Sequence, residues 1–251
     1  MNTDKGKRIK ARLDRQVVEQ GLAADIDSAQ RLIRAGKVRV DGQIADKPGL
    51  AHPPDAEISI AKPKRYVSRG GIKLETAFRE FSLDVEGRVC LDVGASTGGF
   101  TDCLLQHGAA RVYAVDCGRG QLDWKLRQDE RVTVMENCNA RYLQREQFDP
   151  LAVFAAIDAS FISLTKLLPA VCEVLDDGGR IVALIKPQFE ARREQVGAGG
   201  VVRDPDIHRE VVGSVRGFAE KNLGLIWRGL AESDIVGPAG NREYLAYWSK
   251  A

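Results

Sequence analysis

The chain has 251 residues, of which 44% are hydrophobic and 29% are charged, a composition typical of a globular protein with one or two domains. No apolar run approaches the roughly 20 residues that span a bilayer, and the N-terminal residues lack the apolar core of a signal peptide. We therefore expect a cytoplasmic protein with no membrane partner. The net charge of +2 is uneven, because residues 1–65 hold 14 Lys and Arg against 9 Asp and Glu. This excess favours a polyanionic partner, although a solvated basic surface explains the same numbers.

Cysteine and histidine are sparse. The five cysteines include no C-x-x-C pair, and the three histidines lie far apart in the sequence. This spacing predicts no metal site and favours a reducing compartment. Cys90, Cys103 and Cys172 stand in apolar contexts and are interpreted as small core residues.

The N-terminal quarter predicts a small α+β unit. Apolar residues at helical spacing predict one helix over residues 8–20 and a second over residues 25–35. The alternating residues 37–44 predict a strand that enters a hairpin at Asp41-Gly42, and residues 56–60 predict another short strand.

Residues 12–49, RLDRQVVEQGLAADIDSAQRLIRAGKVRVDGQIADKPG, resemble the S4 RNA-binding domain. The resemblance implies an S4 domain over residues 1–61 that presents basic side chains to structured RNA. It makes six residues candidate phosphate contacts: Arg12, Arg15, Arg31, Arg34, Lys37 and Arg39. Such contacts position RNA without reading its sequence.

Residues 62–71, KPKRYVSRGG, combine a proline, basic residues and two glycines, which is typical of a linker. Arg65 and Arg69 are further candidate RNA contacts, because they would continue the basic path into a second domain. That domain is predicted over residues 72–251 and opens with a helix over residues 72–81.

The second domain is organised around residues 89–100, VCLDVGASTGGF. An apolar run, a glycine-rich turn and a helical pattern follow one another, as in the first half of a nucleotide-binding βαβ unit. Ser96 occupies the second glycine position of the dinucleotide fingerprint, and the lysine of a P-loop is missing. A structural glycine turn in an unrelated α/β fold is the alternative interpretation.

A second predicted strand, residues 111–115, ends at Asp116. A carboxylate at this position can accept hydrogen bonds from both hydroxyls of a ribose. The sequence thus offers a carboxylate for a ribose, Asp116, but neither of the motifs that bind pyrophosphate. This combination indicates an adenosine compound, and S-adenosylmethionine fits this description.

Further strands over residues 132–135, 153–157, 181–185 and 243–248 alternate with helices over residues 164–175 and 205–221. This order predicts a mostly parallel, doubly wound sheet whose last strand is antiparallel. Polar residues at the carboxyl ends of the strands line the ligand crevice of such a sheet. Lys186 is one of them, and its place after five apolar residues and before Pro187 favours a functional role over a surface role.

Several segments of the second domain together resemble one family: SRGGIKLETAF, LDVGASTGGFTDCLLQHGA, DASFISLTKLLP, LIKPQFE and GNREYLAYW. They are similar to the S-adenosylmethionine-dependent RNA 2′-O-ribose methyltransferases of the FtsJ type. With the S4-like residues, the chain resembles the TlyA (hemolysin A) ribosomal RNA methyltransferases nearly end to end. The resemblance implies a Rossmann-like class I methyltransferase with a seven-stranded sheet, preceded by a small α+β S4 domain.

The resemblance also implies a catalytic tetrad of Lys73, Asp158, Lys186 and Glu243. A ribose hydroxyl is a weak nucleophile, and a lysine can accept its proton only in the neutral form, which burial or a neighbouring cation favours. We assign Lys186 as the base and Lys73 as the neighbouring positive charge. The two carboxylates would orient the lysines, with Asp158 also near the methyl donor.

The family's cofactor contacts fall on eight residues: Asp92, Gly94, Ser96, Thr97, Gly98, Gly99, Asp116 and Asn139. The glycine-rich motif supplies the first six, Asp116 is placed at the ribose, and Asn139 is placed at the adenine. Asn139 is equally explained as a turn residue that caps the next helix.

The resemblance implies cytidine ribose in ribosomal RNA as the acceptor, in the large subunit and in some members also in the small one. The expected partners are ribosomal RNA or ribosomal subunits, with no obligate protein partner. The short chain favours the large subunit. One alternative is a ribosome-assembly factor that binds RNA without catalysis, and another is a cytolysin, for which we find no amphipathic membrane segment. Ser96 disfavours a dehydrogenase, and the lack of an N-P-P-Y stretch disfavours methylation of a base.

Overall fold

The computed structural model describes residues 10–61 and 65–251. Residues 10–61 belong to one structural unit and residues 65–251 to another. The predicted helix start at Arg8 and the predicted linker residues 62–64 lie outside the described residues. Within the described ranges, no helix combines the length and the apolar character needed to cross a membrane.

The smaller unit contains two helices and short antiparallel strands. In chain order, its elements are β1 (Ala11–Arg12), α1 (Leu13–Glu19), α2 (Ile26–Arg34), β2 (Val38–Val40), β3 (Gln43–Ala45), β4 (Ala51–His52) and β5 (Ile58–Ile60). β2 lies between β3 and β5, and β1 pairs with β4. Leu13 and Val17 of α1 pack with Ala29 and Ile33 of α2 and with Val38 to form the core.

Helix α1 begins at Leu13 and not at residue 8 as predicted, because the residues before it pair with a distant segment. The amide of Gln16 donates hydrogen bonds to the carbonyls of Ala11 (3.2 Å) and His52 (2.8 Å) and so fastens β1 to β4. His52 follows Gln16 by 36 residues, so local periodicity cannot reveal this pairing.

The larger unit alternates strands and helices around one sheet. Its α-helices and strands in chain order are α3 (Gly70–Phe81), β6 (Val89–Val93), α4 (Gly99–Gln106), β7 (Arg111–Val115), α5 (Trp124–Arg127), β8 (Val132–Met135), β9 (Ala152–Ile157), α6 (Leu168–Glu173), β10 (Leu175–Ile185), α7 (Pro187–Glu190), α8 (Pro205–Leu223), β11 (Ile226–Glu232) and β12 (Tyr244–Ser249).

The sheet of residues 65–251 has seven strands in the order β11-β12-β10-β9-β6-β7-β8. β12 is antiparallel to both of its neighbours, and all other pairs are parallel. These findings confirm the predicted mostly parallel sheet with an antiparallel last strand. From β6 the chain builds towards β7 and β8 on one side, and later towards β9 and β10 on the other. The switch point therefore lies between β6 and β9, where such sheets bind ligands beyond the carboxyl ends of the strands.

The bounds predicted for the helix over residues 164–175 are wrong, because the observed helix α6 is shorter. A 3-10 turn over Leu164–Lys166 precedes α6, and Pro169 stands in the first turn of that helix. Proline lacks a backbone N–H and fits the first turn of a new helix better than the interior of a long one. β10 then begins at Leu175, the last residue of the predicted helix, and its register with β9 is irregular before Arg180.

Residues 65–71, which the sequence assigned to a linker, pack as part of the larger unit. Tyr66 is only 3% exposed, and its hydroxyl donates a hydrogen bond to Glu75 at 2.5 Å. The backbone N–H of Val67 donates to the buried carboxylate of Asp102 at 2.8 Å. These contacts start α3 at Gly70, two residues earlier than predicted.

Candidate active site

The turn after β6 brings the ends of two strands together at the switch point. Gly94 has a φ of +85°, and a Cβ at this position would lie 2.8 Å from the backbone oxygen of Asp158, which follows β9. A side chain fits neither this backbone conformation nor this approach, so the position requires glycine. At the other end of the turn, a Cβ on Gly99 would overlap the hydroxyl of Ser68.

The carboxylate of Asp116 is fixed by two backbone donors beyond β7. The N–H of Ser96 donates to Oδ2 at 2.7 Å, and the N–H of Gly118 donates to Oδ1 at 2.6 Å. Ser96 reaches this position with a φ of +48°, a conformation that non-glycine residues adopt rarely and mostly at functional sites. Asp116 lines a cavity of about 470 Å³. Its carboxylate keeps acceptor capacity for a hydroxyl of a ligand bound there.

Asp92 lies beneath the turn and not at the surface of a cavity. The residue is fully buried, and its Oδ2 accepts a hydrogen bond from the hydroxyl of Thr101 on α4 at 2.6 Å. Desolvation by burial raises the pKa of Asp92 to about 7. Asp92 therefore connects β6 to α4.

The four tetrad residues form two close ion pairs. Lys73 Nζ on α3 lies 2.6 Å from Glu243 Oε2 before β12, and Lys186 Nζ after β10 lies 2.6 Å from Asp158 Oδ1. Glu243 is 1% exposed, and the other three side chains are exposed by 19% or less. Such buried pairs add little to stability, because desolvation offsets their attraction, and they are frequent at functional sites.

All four tetrad residues line a single cavity of about 580 Å³. Lys186 also donates a hydrogen bond to the hydroxyl of Ser160 at 2.9 Å and lies 5.9 Å from the ring centre of Phe189. Three neighbours thus fix the ammonium group of Lys186. Sequence reasoning missed the role of Ser160, although it lies two residues after Asp158 in the same segment.

The two cavities meet at the switch point. Five residues line both of them: Gly94, Ser96, Asp158, Ser160 and Phe161. A group bound beside Asp116 in the smaller cavity and a group bound beside Lys186 in the larger one would therefore face each other at Asp158. This arrangement suits transfer of a small group between two bound molecules.

The predicted cofactor residues divide between the cavities. Gly94, Ser96, Asp116 and Asn139 line the smaller cavity, whereas Thr97 and Gly99 line only the larger one. Asp92 and Gly98 line neither of these two cavities of the described chain. Gly98 instead has a φ of +93° as the residue that precedes α4.

Asn139 has one of the two roles that the sequence left open, that of a helix cap. Its side chain accepts a hydrogen bond from the N–H of Arg141 at 3.1 Å and so caps the 3-10 helix Ala140–Tyr142. The same residue lines the smaller cavity.

Some of the candidate RNA contacts already bind other groups of the protein, and others do not. All six candidate residues of the smaller unit are exposed. Arg12 is paired with the buried Asp14 at 2.5 Å, and Arg39 donates to the carbonyl of Gly42 at 2.8 Å. In the larger unit, Arg69 lines the larger cavity, whereas Arg65 is paired with Glu75 at 2.9 Å.

Phe161 is a further candidate that the sequence analysis did not single out. Its side chain is 90% exposed, its φ is +63°, and its ring centre lies 5.0 Å from that of Phe189. An exposed aromatic ring in a strained backbone conformation beside a cavity points to ligand contact. The signal was present in the sequence, because an aromatic residue follows closely after a polar strand end.

A second cluster lies between α3 and α4, away from the two cavities. Glu75, Cys103 and His107 place possible ligand atoms within 4.8 Å of one another, which the wide histidine spacing did not suggest. The carboxylate of Glu75 already accepts a hydrogen bond from Tyr66 and contacts His107 at 2.9 Å. These contacts fasten Tyr66 to the larger unit.

Comparison with known proteins agrees with the motifs. The family model described as FtsJ-like methyltransferase matches residues 66–250, and the model described as S4 domain matches residues 11–58. "Putative rRNA methyltransferase YqxC" of Bacillus subtilis (strain 168) is 48% identical over 240 residues, which cover 95% of this chain and 85% of the relative.

Two further likenesses extend over most of the chain. "16S/23S rRNA (cytidine-2′-O)-methyltransferase TlyA" of Mycobacterium tuberculosis (strain ATCC 25618 / H37Rv) is 45% identical over 95% of this chain and 89% of the relative. A solved structure, "Putative hemolysin from Streptococcus thermophilus", superposes with a TM-score of 0.74 at 48% identity, over 97% of this chain and 90% of that one. The resemblance indicated by the motifs is thereby confirmed, and the chain is a methyltransferase that belongs to the FtsJ-like family and carries an S4 domain.

Proposed function

We propose that this enzyme transfers a methyl group from S-adenosylmethionine to a ribose 2′-hydroxyl of ribosomal RNA, with cytidine of the large-subunit RNA as the first candidate acceptor. The observation that carries the proposal is the pair of ion pairs, Lys73–Glu243 and Lys186–Asp158, in a cavity that meets a second, nucleoside-sized cavity at Asp158. The names of the relatives from Bacillus subtilis and Mycobacterium tuberculosis support ribosomal RNA as the substrate.

The smaller cavity fits S-adenosylmethionine. Asp116 would accept hydrogen bonds from the ribose hydroxyls, Asn139 would lie at the adenine, and the Gly94 turn leaves room for close approach of the methionine part. When bound, S-adenosylmethionine supplies a methyl group that its sulfonium makes electrophilic.

Lys186 is the group that we assign to the proton of the 2′-hydroxyl. In its neutral form, its Nζ would accept that proton, while Asp158 and Ser160 keep the amine directed into the larger cavity. Lys73, held by Glu243, would supply the neighbouring positive charge and stabilise the oxygen as its negative charge develops. Alignment of the two bound reactants contributes most, since correct orientation alone can lower a barrier by roughly 7–11 kcal/mol.

The rim of the larger cavity offers a surface for the target nucleotide. Phe161 and Phe189 present aromatic rings on which a base can stack, a contact worth about 1–3 kcal/mol per base. Arg69 at the same cavity would contact a phosphate, and the basic residues of the smaller unit would contact other phosphates of the RNA. RNA and ribosomal subunits in the cytoplasm are therefore the proposed partners.

Methyl transfer to unmodified ribosomal subunits tests the proposal. Small and large subunits are incubated with labelled S-adenosylmethionine and the wild-type enzyme, Lys186→Ala or Lys186→Arg, and nuclease digestion shows whether the label is on ribose. We expect label on a 2′-oxygen of the large-subunit RNA, and a loss of kcat of about 10²–10⁴-fold in both variants, because arginine keeps the charge but cannot accept the proton.

Lys221→Ala is the matched control, because Lys221 is exposed on α8 and lies outside both cavities. Near wild-type activity of Lys186→Arg would refute the base assignment while leaving the reaction in place. Cofactor binding without transfer to any subunit or free RNA would favour the alternative of an RNA-binding assembly factor. Label on a base would refute the ribose acceptor.

A further inference from the structure

The larger cavity has one wall that the tetrad does not supply. Gly199 and Gly200, in the segment between α7 and α8, line this cavity together with Asn241, which stands two residues before Glu243. Both glycines have a positive φ, +75° and +74°, and a Cβ on either would meet no heavy atom within 4 Å. Backbone conformation, and not crowding, therefore requires glycine here. The N–H of Gly200 donates a hydrogen bond to the carbonyl of Gly197 at 3.1 Å within the turn, and further contacts come from outside it.

Asn241 supplies two of these contacts. Its side chain is buried, with the residue only 2% exposed. Its Nδ2 donates a hydrogen bond to the carbonyl of Gly200 at 2.9 Å, and its Oδ1 accepts one from the N–H of Val202 at 3.0 Å. One amide thus binds the backbone on both sides of Val201 and uses a donor and an acceptor at the same time.

His208 of α8 binds the same segment from the other side. Its Nε2 lies 2.8 Å from the carbonyl of Val202, and its Nδ1 lies 2.7 Å from the hydroxyl of Tyr244. A carbonyl only accepts, so Nε2 carries the hydrogen, and in the neutral ring Nδ1 accepts from Tyr244. Val202 is consequently held through its N–H by Asn241 and through its C=O by His208.

The Asn241 backbone also connects this wall to the tetrad. Its carbonyl accepts a hydrogen bond from the N–H of Gly237 at 2.9 Å, and a Cβ on Gly237 would lie 2.5 Å from Glu243 Oε1. A shift of Asn241 would therefore disturb the glycine turn and the environment of Glu243 together. Asn241, Gly199 and Gly200 do not line the smaller cavity.

We propose that Asn241, with His208, is a positioning residue for the acceptor RNA: it fixes the Gly199–Gly200 turn as the wall against which the target ribose is aligned. The inference rests on the proposed function of the larger cavity. It assigns to these two side chains a role in RNA binding and alignment, and none in holding S-adenosylmethionine.

The test distinguishes an effect on cofactor binding from an effect on RNA binding and alignment. For Asn241→Ala, His208→Leu and His208→Gln, we measure the Kd of S-adenosylmethionine, the Kd of the RNA and kcat/KM for the RNA. We expect Asn241→Ala and His208→Leu to lower kcat/KM by about 10²-fold, since a misplacement of 1 Å has an effect of this size, with cofactor binding unchanged. His208→Gln should recover most of the loss, because its amide can still donate to Val202.

Val215→Ala is the stability control, because Val215 is a buried core residue of α8 outside both cavities. Equal losses of RNA affinity and activity in Val215→Ala at the same Tm would overturn the inference, as would a parallel loss of cofactor affinity in Asn241→Ala. Absence of transfer by the wild type would refute the proposed function instead. The RNA Kd and the hydrogen exchange of the Val202 amide would then still decide whether Asn241 positions this wall.

Discussion

Asp92 shows how the position of one residue within a strand decides its role. It is the fourth residue of β6, and its strand neighbours Ala114 and Ala156 are small and leave room for a buried carboxyl. Side chains alternate between the two faces of a strand, so Asp92 points towards the helix layer with Thr101 and not beyond the strand end. The sequence shows an acid near a strand end but not which face it occupies.

Because the carboxyl of Asp92 is buried, we expect the free energy of unfolding to depend on pH. The Asp92 pKa of about 7 in the folded chain exceeds the ordinary value of 3.8, so the folded state retains a proton that the unfolded state has lost. Stability should therefore fall as the pH rises from about 4 to about 7, by up to about 4 kcal/mol from this group, and then level off. Asp92→Asn removes this contribution, and urea unfolding at several pH values measures the difference.

The exposed Asp46→Asn in the smaller unit is the control for loss of a carboxyl. The wild type and this control should show the same decline in the free energy of unfolding between pH 5 and pH 8, and Asp92→Asn should show a smaller one. An identical decline in all three proteins would refute the assignment of a retained proton to Asp92.

Only two of the four tetrad residues could be predicted from residue types and strand positions alone. Asp158 and Lys186 could be predicted from their places after two apolar strands, because the carboxyl ends of parallel strands meet at one edge. Lys73 and Glu243 follow no such rule, since one lies on the helix before the first strand of the sheet and the other precedes the last strand. Only the family resemblance pointed to them, and their 2.6 Å pairing is a property of the folded chain.

At the scale of elements, the contact between the ends of β6 and β9 determines where the two cavities meet. Gly94→Ala would force alanine into a left-handed backbone conformation, which lowers the free energy of unfolding by about 1–2 kcal/mol. It would also push a methyl group against the Asp158 backbone. Because Asp158 is the ion-pair partner of Lys186, we expect this variant to lose methyl transfer as well as stability. Denaturant unfolding measures the loss of stability, and transfer of labelled methyl groups to ribosomal subunits measures the loss of activity.

Gly213→Ala is the matched substitution, because Gly213 lies inside α8, is exposed and would gain a Cβ that meets no atom within 4 Å. It should raise stability by about 0.5–1 kcal/mol and leave activity unchanged. A Gly94→Ala protein with normal stability and normal methyl transfer would show that the two strand ends can separate without loss of function, against our expectation.

The elements that were predicted wrongly share a physical cause. The start of α1 depends on backbone pairing with β4, and the end of the predicted helix over residues 164–175 depends on β10, whose bulged start pairs with β9. Buried apolar residues such as Val171, Val174 and Leu175 satisfy a helix pattern and a strand pattern alike. Local periodicity locates the core positions, but pairing with distant strands decides the boundaries.

At the scale of the whole molecule, we expect the smaller unit to bind RNA and the larger unit to carry out the chemistry. The smaller unit contains exposed basic residues and neither of the two cavities, whereas the larger unit lines both. Arg12, Arg31, Arg34 and Arg39 already bind groups of their own unit through their side chains. Among the described residues, the side chains of Arg15 and Lys37 have neither an ion-pair partner nor a hydrogen bond. These two are therefore the residues best able to release counterions from RNA.

The double variant Arg15→Gln, Lys37→Gln should weaken RNA binding and reduce the salt dependence of the RNA Kd by a slope of about 1 per residue. Its cofactor affinity should remain that of the wild type, because every residue that lines the smaller cavity, the proposed cofactor site, belongs to the larger unit. At saturating RNA, kcat should be unchanged, since neither side chain takes part in the chemistry, so the whole effect should appear in KM.

Lys221→Gln, which removes an exposed charge from α8, is the control for net charge and should leave the salt slope unchanged. An equal reduction in both proteins would mean that RNA responds to the total charge of the molecule and not to the S4 surface. A loss of kcat at saturating RNA in the double variant would instead mean that the smaller unit aligns the target nucleotide. Phosphate contacts would then orient the acceptor as well as capture it.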